Sequence, residues 1–137
     1  MRALVTGGSS GIGLATASEL ADLGADLVLV ARNEDRLERA RNTLVSEYPA
    51  CSIEIISADL ASESERSRLV GRLADPVHVL VNNSGTNIRK RMEELSLEEY
   101  RLVQETNLVS CFEMCRLLHP LLKRSAPSCV VNLSLIH

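Results

Sequence analysis

Residues 6–13, Thr6-Gly7-Gly8-Ser9-Ser10-Gly11-Ile12-Gly13, have the types and spacing to hold a phosphate. Glycine lets the backbone turn sharply and approach a charged oxygen that a Cβ would repel. Ala3, Leu4 and Val5 form a short apolar run just before this stretch, and helix-forming sequence from Leu14 to Leu23 follows it. A strand feeding a glycine turn that opens a helix offers an anion free N–H groups and the positive end of a helix dipole. The spacing is Gly-x-x-x-Gly-x-Gly, which differs from the Gly-x-Gly-x-x-Gly of the usual dinucleotide fingerprint. The turn therefore needs support from its surroundings.

Other reactive groups point elsewhere. The cysteines at 51, 111, 115 and 129 contain no Cys-x-x-Cys pair, and no histidine stands beside them at metal-ligand spacing. They read as buried small thiols in a reducing compartment, with no metal site. Arg89-Lys90-Arg91 reads as a solvated loop charge. Asn82 and Asn83, taken alone, suit a turn that satisfies its own backbone.

Composition narrows the function classes. The chain has 137 residues, 45% of them hydrophobic and 24% charged, which fits one globular domain over 1–137. A formal charge of −3 with mixed signs leaves no basic footprint for nucleic acid. With Phe112, Tyr48 and Tyr100 as its aromatic residues, the chain has no platform for stacking bases. The apolar runs are too short to span a bilayer, and Gly7 to Gly11 interrupts any signal-peptide core. The expectation is a cytoplasmic protein with no membrane partner.

The elements that position the glycine turn follow in regular order. Strand-like runs fall at 3–5, 26–31, 52–57, 77–81 and 128–134. Between them, Ile12, Ala15, Leu20 and Leu23 recur at helical spacing up to Gly24. Asn33 is placed to cap a second helix, whose Leu37, Ala40, Leu44, Val45 and Tyr48 form an apolar face. Ser62 with Glu65, and Ser96 with Glu99, are capping-box patterns opening further helices. A last helix carries Asn107, Cys111, Cys115, Leu118 and Leu122 on one stripe. Strands that alternate with helices demand right-handed crossovers and a doubly wound α/β fold, with a parallel sheet of order 3-2-1-4-5. The glycine turn, Ala31-Arg32, Asp59-Leu60 and Asn82 to Gly85 all follow strand ends and converge on one edge.

Thr6-Gly7-x-x-x-Gly11-x-Gly13, Asp59-Leu60, Asn82-Asn83-Ser84-Gly85 and Asn107 together resemble the short-chain dehydrogenase/reductase family over the entire chain. Gly85-Thr86-Asn87-Ile88-Arg89-Lys90 resembles its tropinone-reductase-like branch. The resemblance implies a Rossmann-like fold and an NAD(P)-dependent oxidoreductase acting on a small carbonyl or alcohol, as a possible homo-oligomer. It implies that Gly7, Ser9, Ser10, Gly11, Ile12 and Gly13 cradle the pyrophosphate. Asp59 and Leu60 then meet the adenine, and Asn83, Ser84 and Gly85 lie by its ribose. Ser84 stands where the family usually has Ala. A carboxylate at the end of strand 2 would favour NAD and repel the extra phosphate of NADP. Ala31-Arg32 removes that repulsion and supplies a fork-shaped phosphate partner, so NADP is expected over NAD.

The resemblance also implies a catalytic set of Asn, Ser and Tyr-x-x-x-Lys. Asn107 fits the first, as support for a proton relay through a water on its helix backbone. Ser134 falls one residue early, with Leu135 at the serine position, and the 137 residues hold no Tyr-x-x-x-Lys. The expectation is a chain truncated after its fifth strand and catalytically incomplete as it stands. The alternative is a non-catalytic nucleotide-binding or interaction module that pairs through that strand. A sugar-nucleotide epimerase fits less well, because its turn reads Thr-Gly-x-x-Gly-x-x-Gly.

Overall fold

The computed structural model describes residues 1–134. Its elements run β1 (Arg2–Thr6), α1 (Gly11–Asp22), β2 (Asp26–Ala31), α2 (Glu34–Glu47), β3 (Ile53–Ser57), α3 (Glu63–Gly71) and β4 (Val79–Asn82). A long loop with a short 3₁₀ turn leads to α4 (Leu97–Gln104), a π-helical turn (Glu105–Val109), α5 (Ser110–Arg124) and β5 (Cys129–Asn132). All strand pairs are parallel, in the order β3-β2-β1-β4-β5. Leu4 stands opposite both Val28 and Leu80, and Val5 opposite Leu29 and Val81.

Alternate side chains of each strand feed opposite faces of the sheet, which is why the central strands are apolar throughout. Ala3, Val5, Leu27 and Leu29 pack with Ala17 and Ala21 of α1 and Leu37, Ala40 and Leu44 of α2. Leu4, Val28, Val30 and Leu80 pack on the other face with Leu69 of α3 and Met114 and Leu118 of α5. No helix among the described residues is long and apolar enough to cross a membrane.

Several expected details differ. β4 and β5 are shorter than the apolar runs that announced them. In α1 the buried stripe is Gly13, Ala17 and Ala21, while Ile12 and Leu23 are exposed, because small residues let the helix lie close against the sheet. Val45 is exposed on α2. The π turn inserts a residue before α5 and sets Asn107 out of phase with its buried residues Ser110, Met114, Leu118, Leu121 and Leu122, of which Leu118 and Leu122 were expected. Asn107 is consequently exposed, and Cys111 and Cys115 are only half-buried. Cys51 is half-buried too and Cys129 exposed, so none of the four thiols is a core group. Burial and neighbouring Cys115 raise the Cys111 thiol above its usual range. β5 is exposed along its whole length, including Val130 and Val131.

Candidate nucleotide site

The carboxyl ends of β1, β2, β3 and β4 enclose a cavity of about 290 Å3. Gly7, Ser9 and Ser10 from the glycine turn, Arg32 after β2, and Asp59 and Leu60 after β3 line it. Ser84 and Gly85 come from the β4 end. Four stretches far apart in sequence meet here because parallel strands all end at the same edge.

The glycine turn is anchored from below. Gly7 and Gly8 donate to the carbonyl of Val30 at 2.8 and 3.3 Å, which joins the turn to the end of β2. Gly7 has φ of +66°, a left-handed backbone that a side chain would strain. Ser10 caps α1 without a side-chain hydrogen bond, and the first turn of α1 carries no carboxylate. In α2, α3 and α4, by contrast, Asn33, Ser62 and Ser96 accept from the first-turn N–H groups, and each first turn is acidic. α1 therefore keeps its donors and the positive end of its dipole for a ligand, which is what a pyrophosphate requires. The Ser96–Glu99 capping box is complete, and Lys90 holds the Glu99 carboxyl below its usual range. The Ser62–Glu65 pattern is half a box, because the Glu65 carboxylate accepts from the Asp59 N–H at 2.7 Å instead.

The remaining expected residues lie around the cavity and do not line it. Gly13 is buried beneath the turn, Gly11 begins α1 facing outward, and Ile12 is 62% exposed. Asn83 bridges strands: its amide donates to the carbonyls of Thr6 at 3.1 Å and Gly7 at 3.4 Å. It satisfies the neighbouring strand, where a local turn would have satisfied itself. Leu60 lines the cavity, yet its side chain is 4% exposed and belongs to the core, so it offers an adenine ring little packing surface. The Asp59 carboxylate accepts from the Ala61 N–H at 3.0 Å through one oxygen.

Asn107 sits in the π turn, with its amide oxygen accepting from the Thr86 N–H at 2.7 Å and its amide nitrogen donating to the Thr86 carbonyl at 2.8 Å. The expected buried amide is instead an exposed clamp between the helix and the loop after β4. Ser134 is described just beyond β5 and is exposed, while Leu135 lies outside the described residues.

Three neighbouring groups, Thr106, Arg36 and Arg66, escaped the sequence reading, as did the hydrogen-bonding role of Thr6. Thr106 of the π turn and Arg36 of α2 line the cavity. Thr6 hydrogen-bonds the β4 end through its hydroxyl, which accepts from the Asn83 and Ser84 N–H groups, each at 2.9 Å. Arg66 of α3 is 3% exposed, donates to the Leu60 carbonyl at 2.6 Å and lies 3.6 Å from the Glu105 carboxylate. It pins the Asp59-Leu60 turn to the π segment. Only the i+4 spacing of Arg36 from Arg32 was legible in advance; a buried arginine on a polar helix leaves no pattern.

Comparison with known proteins agrees with this fold. A family model described as short chain dehydrogenase matches residues 1–136. A chloroplastic tropinone reductase homologue of Arabidopsis thaliana is 39% identical over 140 residues, covering 98% of this chain and 42% of that protein. The chain spans about half the length of the curated relatives it matches. The L-sorbose reductase of Gluconobacter frateurii, solved in complex with NADPH and L-sorbose, gives a TM-score of 0.83 at 31% identity. That match covers 90% of this chain and 48% of the reductase. An alcohol dehydrogenase from the archaeon Thermococcus sibiricus, complexed with 5-hydroxy-NADP, gives 0.81 at 34% identity over 90% of this chain and 54% of its own.

Proposed function

This chain belongs to the short-chain dehydrogenase family, and from that premise we propose that it is the cofactor-binding part of an NADP(H)-dependent oxidoreductase acting on a small ketone or alcohol. The observation that carries the reading is a cavity bounded on one side by the uncapped start of α1 and on the other by Arg32. The α1 N–H groups would hold the pyrophosphate and Arg32 the phosphate on the adenosine ribose. Asp59, through its remaining oxygen, and the Leu60 backbone would meet the adenine, with Ser84 and Gly85 beside the ribose. When bound, the nicotinamide supplies or accepts the hydride. Asn107 holds the loop after β4 through Thr86, and its helix backbone would hold the relay water. The relatives solved with NADPH or an NADP derivative support this cofactor.

Reducing a ketone also needs a proton donor at the developing alkoxide. The 137 residues hold no Tyr-x-x-x-Lys to provide it. This polypeptide by itself is expected to bind the dinucleotide without turning over substrate.

Fluorescence titration with NADPH and NADH tests the reading. Arg32→Ala is expected to weaken NADPH binding roughly tenfold or more, the worth of one charge-assisted hydrogen bond, and to leave NADH unchanged. Equal losses for both dinucleotides would refute the assignment of Arg32 to the 2′-phosphate.

The exposure of Val130 and Val131 on β5 favours a second reading, a non-catalytic module that pairs through this strand. Under it, sedimentation shows a dimer that Val131→Lys converts to monomer. A wild-type monomer would eliminate that reading.

A further inference from the structure

We propose that Arg36 is a second phosphate-reading guanidinium, acting with Arg32 to select a dinucleotide that carries a phosphate monoester on its adenosine ribose. The inference rests on the cofactor reading above and adds a specificity residue to it. Arg32 and Arg36 line the same cavity, four residues apart at the start of α2. The backbone N–H of Arg36 donates to the Asn33 side chain at 2.8 Å, which holds this residue at the first turn beside the cavity.

Charge is sorted across that turn. Asn33 and Arg36, three residues apart and so on one helical face, line the cavity, whereas Glu34 and Asp35 do not. Asp59 is the one carboxylate among the lining residues. Arg41, Arg68 and Arg116 each pair with a glutamate three residues before them. Arg36 has no such neighbour: positions three and four away hold Arg32, Asn33, Arg39 and Ala40. Neither Arg32 nor Arg36 forms an ion pair among the described residues. Arg32 stands just before the Asn33 cap and Arg36 in the first turn, so two like charges share the N-terminal end of α2, where the helix dipole also disfavours cations. A dianion bridging the two guanidinium groups would reverse that repulsion, and a ribose hydroxyl would not.

The test compares NADPH and NADH titrations of the wild-type chain with those of Arg36→Gln and Arg39→Gln. Arg39 lies on the same helical stripe but does not line the cavity. Arg36→Gln is expected to weaken NADPH binding about tenfold with NADH within about twofold, and Arg39→Gln to leave the ratio unchanged. Arg36→Lys, which keeps the charge without the fork, should fall between. If Arg36→Gln binds NADPH as tightly as wild type while Arg32→Ala does not, Arg32 acts alone and the inference fails with the cofactor reading intact. Equal loss of NADPH and NADH, or a matching loss in Arg39→Gln, would show a general field in place of a phosphate contact and overturn it. A wild-type chain that binds neither dinucleotide removes the cofactor reading itself.

Discussion

Gly13→Ala is expected to abolish nucleotide binding and to destabilise the chain by about 3 kcal/mol, the upper end for overpacking. A Cβ at Gly13 would lie 2.2 Å from the Gly7 carbonyl oxygen, 2.8 Å from its carbon and 2.5 Å from the Asn83 amide nitrogen. A flexible side chain in the way would move aside at little cost. Here the obstacle is backbone, and that backbone is tied to β2 through the 2.8 Å bond from Gly7 to Val30. The methyl must push α1 off the sheet or break the Asn83 bridge, and either change displaces the donors meant for the pyrophosphate. For a domain of this size the melting midpoint should fall by roughly 10 °C, with no NADPH titration signal. Gly71→Ala is the control: its Cβ meets nothing within 4 Å, and it should stay within about 0.5 kcal/mol of wild type. A Gly13→Ala chain that melts and binds like wild type would show that the helix does not approach the turn this closely in solution.

The close approach at Gly13 explains what sequence reading recovers and what it misses. The strands were legible because a parallel sheet covered on both faces leaves no place for polar side chains in Ala3–Val5 or Leu27–Val30. The strand order followed from crossovers that admit one handedness, and the site edge followed from the order. The packing of α1 was not legible, since Ile12, Leu20 and Leu23 dominate any hydrophobic periodicity while Gly13, Ala17 and Ala21 contribute almost nothing to it. Asn107 failed for a different reason. Its stripe assumed one α-helix from Asn107 to Leu122, and the π turn puts Asn107 out of phase with Leu118 and Leu122, which are buried as expected. Polar contacts between distant elements were the least visible, because Thr6 and Asn83, or Arg66 and Glu105, are related by topology and share no spacing.

Thr6→Val tests such a contact directly, with an expected loss of about 3 kcal/mol and a weakened NADPH site. Thr6 is 1% exposed, and its hydroxyl is fully used. It accepts from the Asn83 and Ser84 N–H groups at 2.9 Å each and donates to the Val81 carbonyl at 3.3 Å. One donor and two acceptors are all a hydroxyl has. Valine keeps the shape of threonine, so the substitution opens no cavity and the loss isolates the hydrogen bonds. It strands the two N–H donors of the half-buried Asn83-Ser84 turn, each worth about 1–3 kcal/mol when unpaired, and burying a second methyl offsets about 1 kcal/mol. The Asn83-Ser84 turn can recover its bonds only by moving outward, and Ser84 lines the nucleotide cavity, so the energetic and binding losses share one cause. Thr6→Ser retains the hydroxyl and loses only a methyl; it should melt within about 1 kcal/mol of wild type and bind NADPH normally. If Thr6→Ser fails as badly as Thr6→Val, packing of the methyl holds the two strand ends together and the hydroxyl does not.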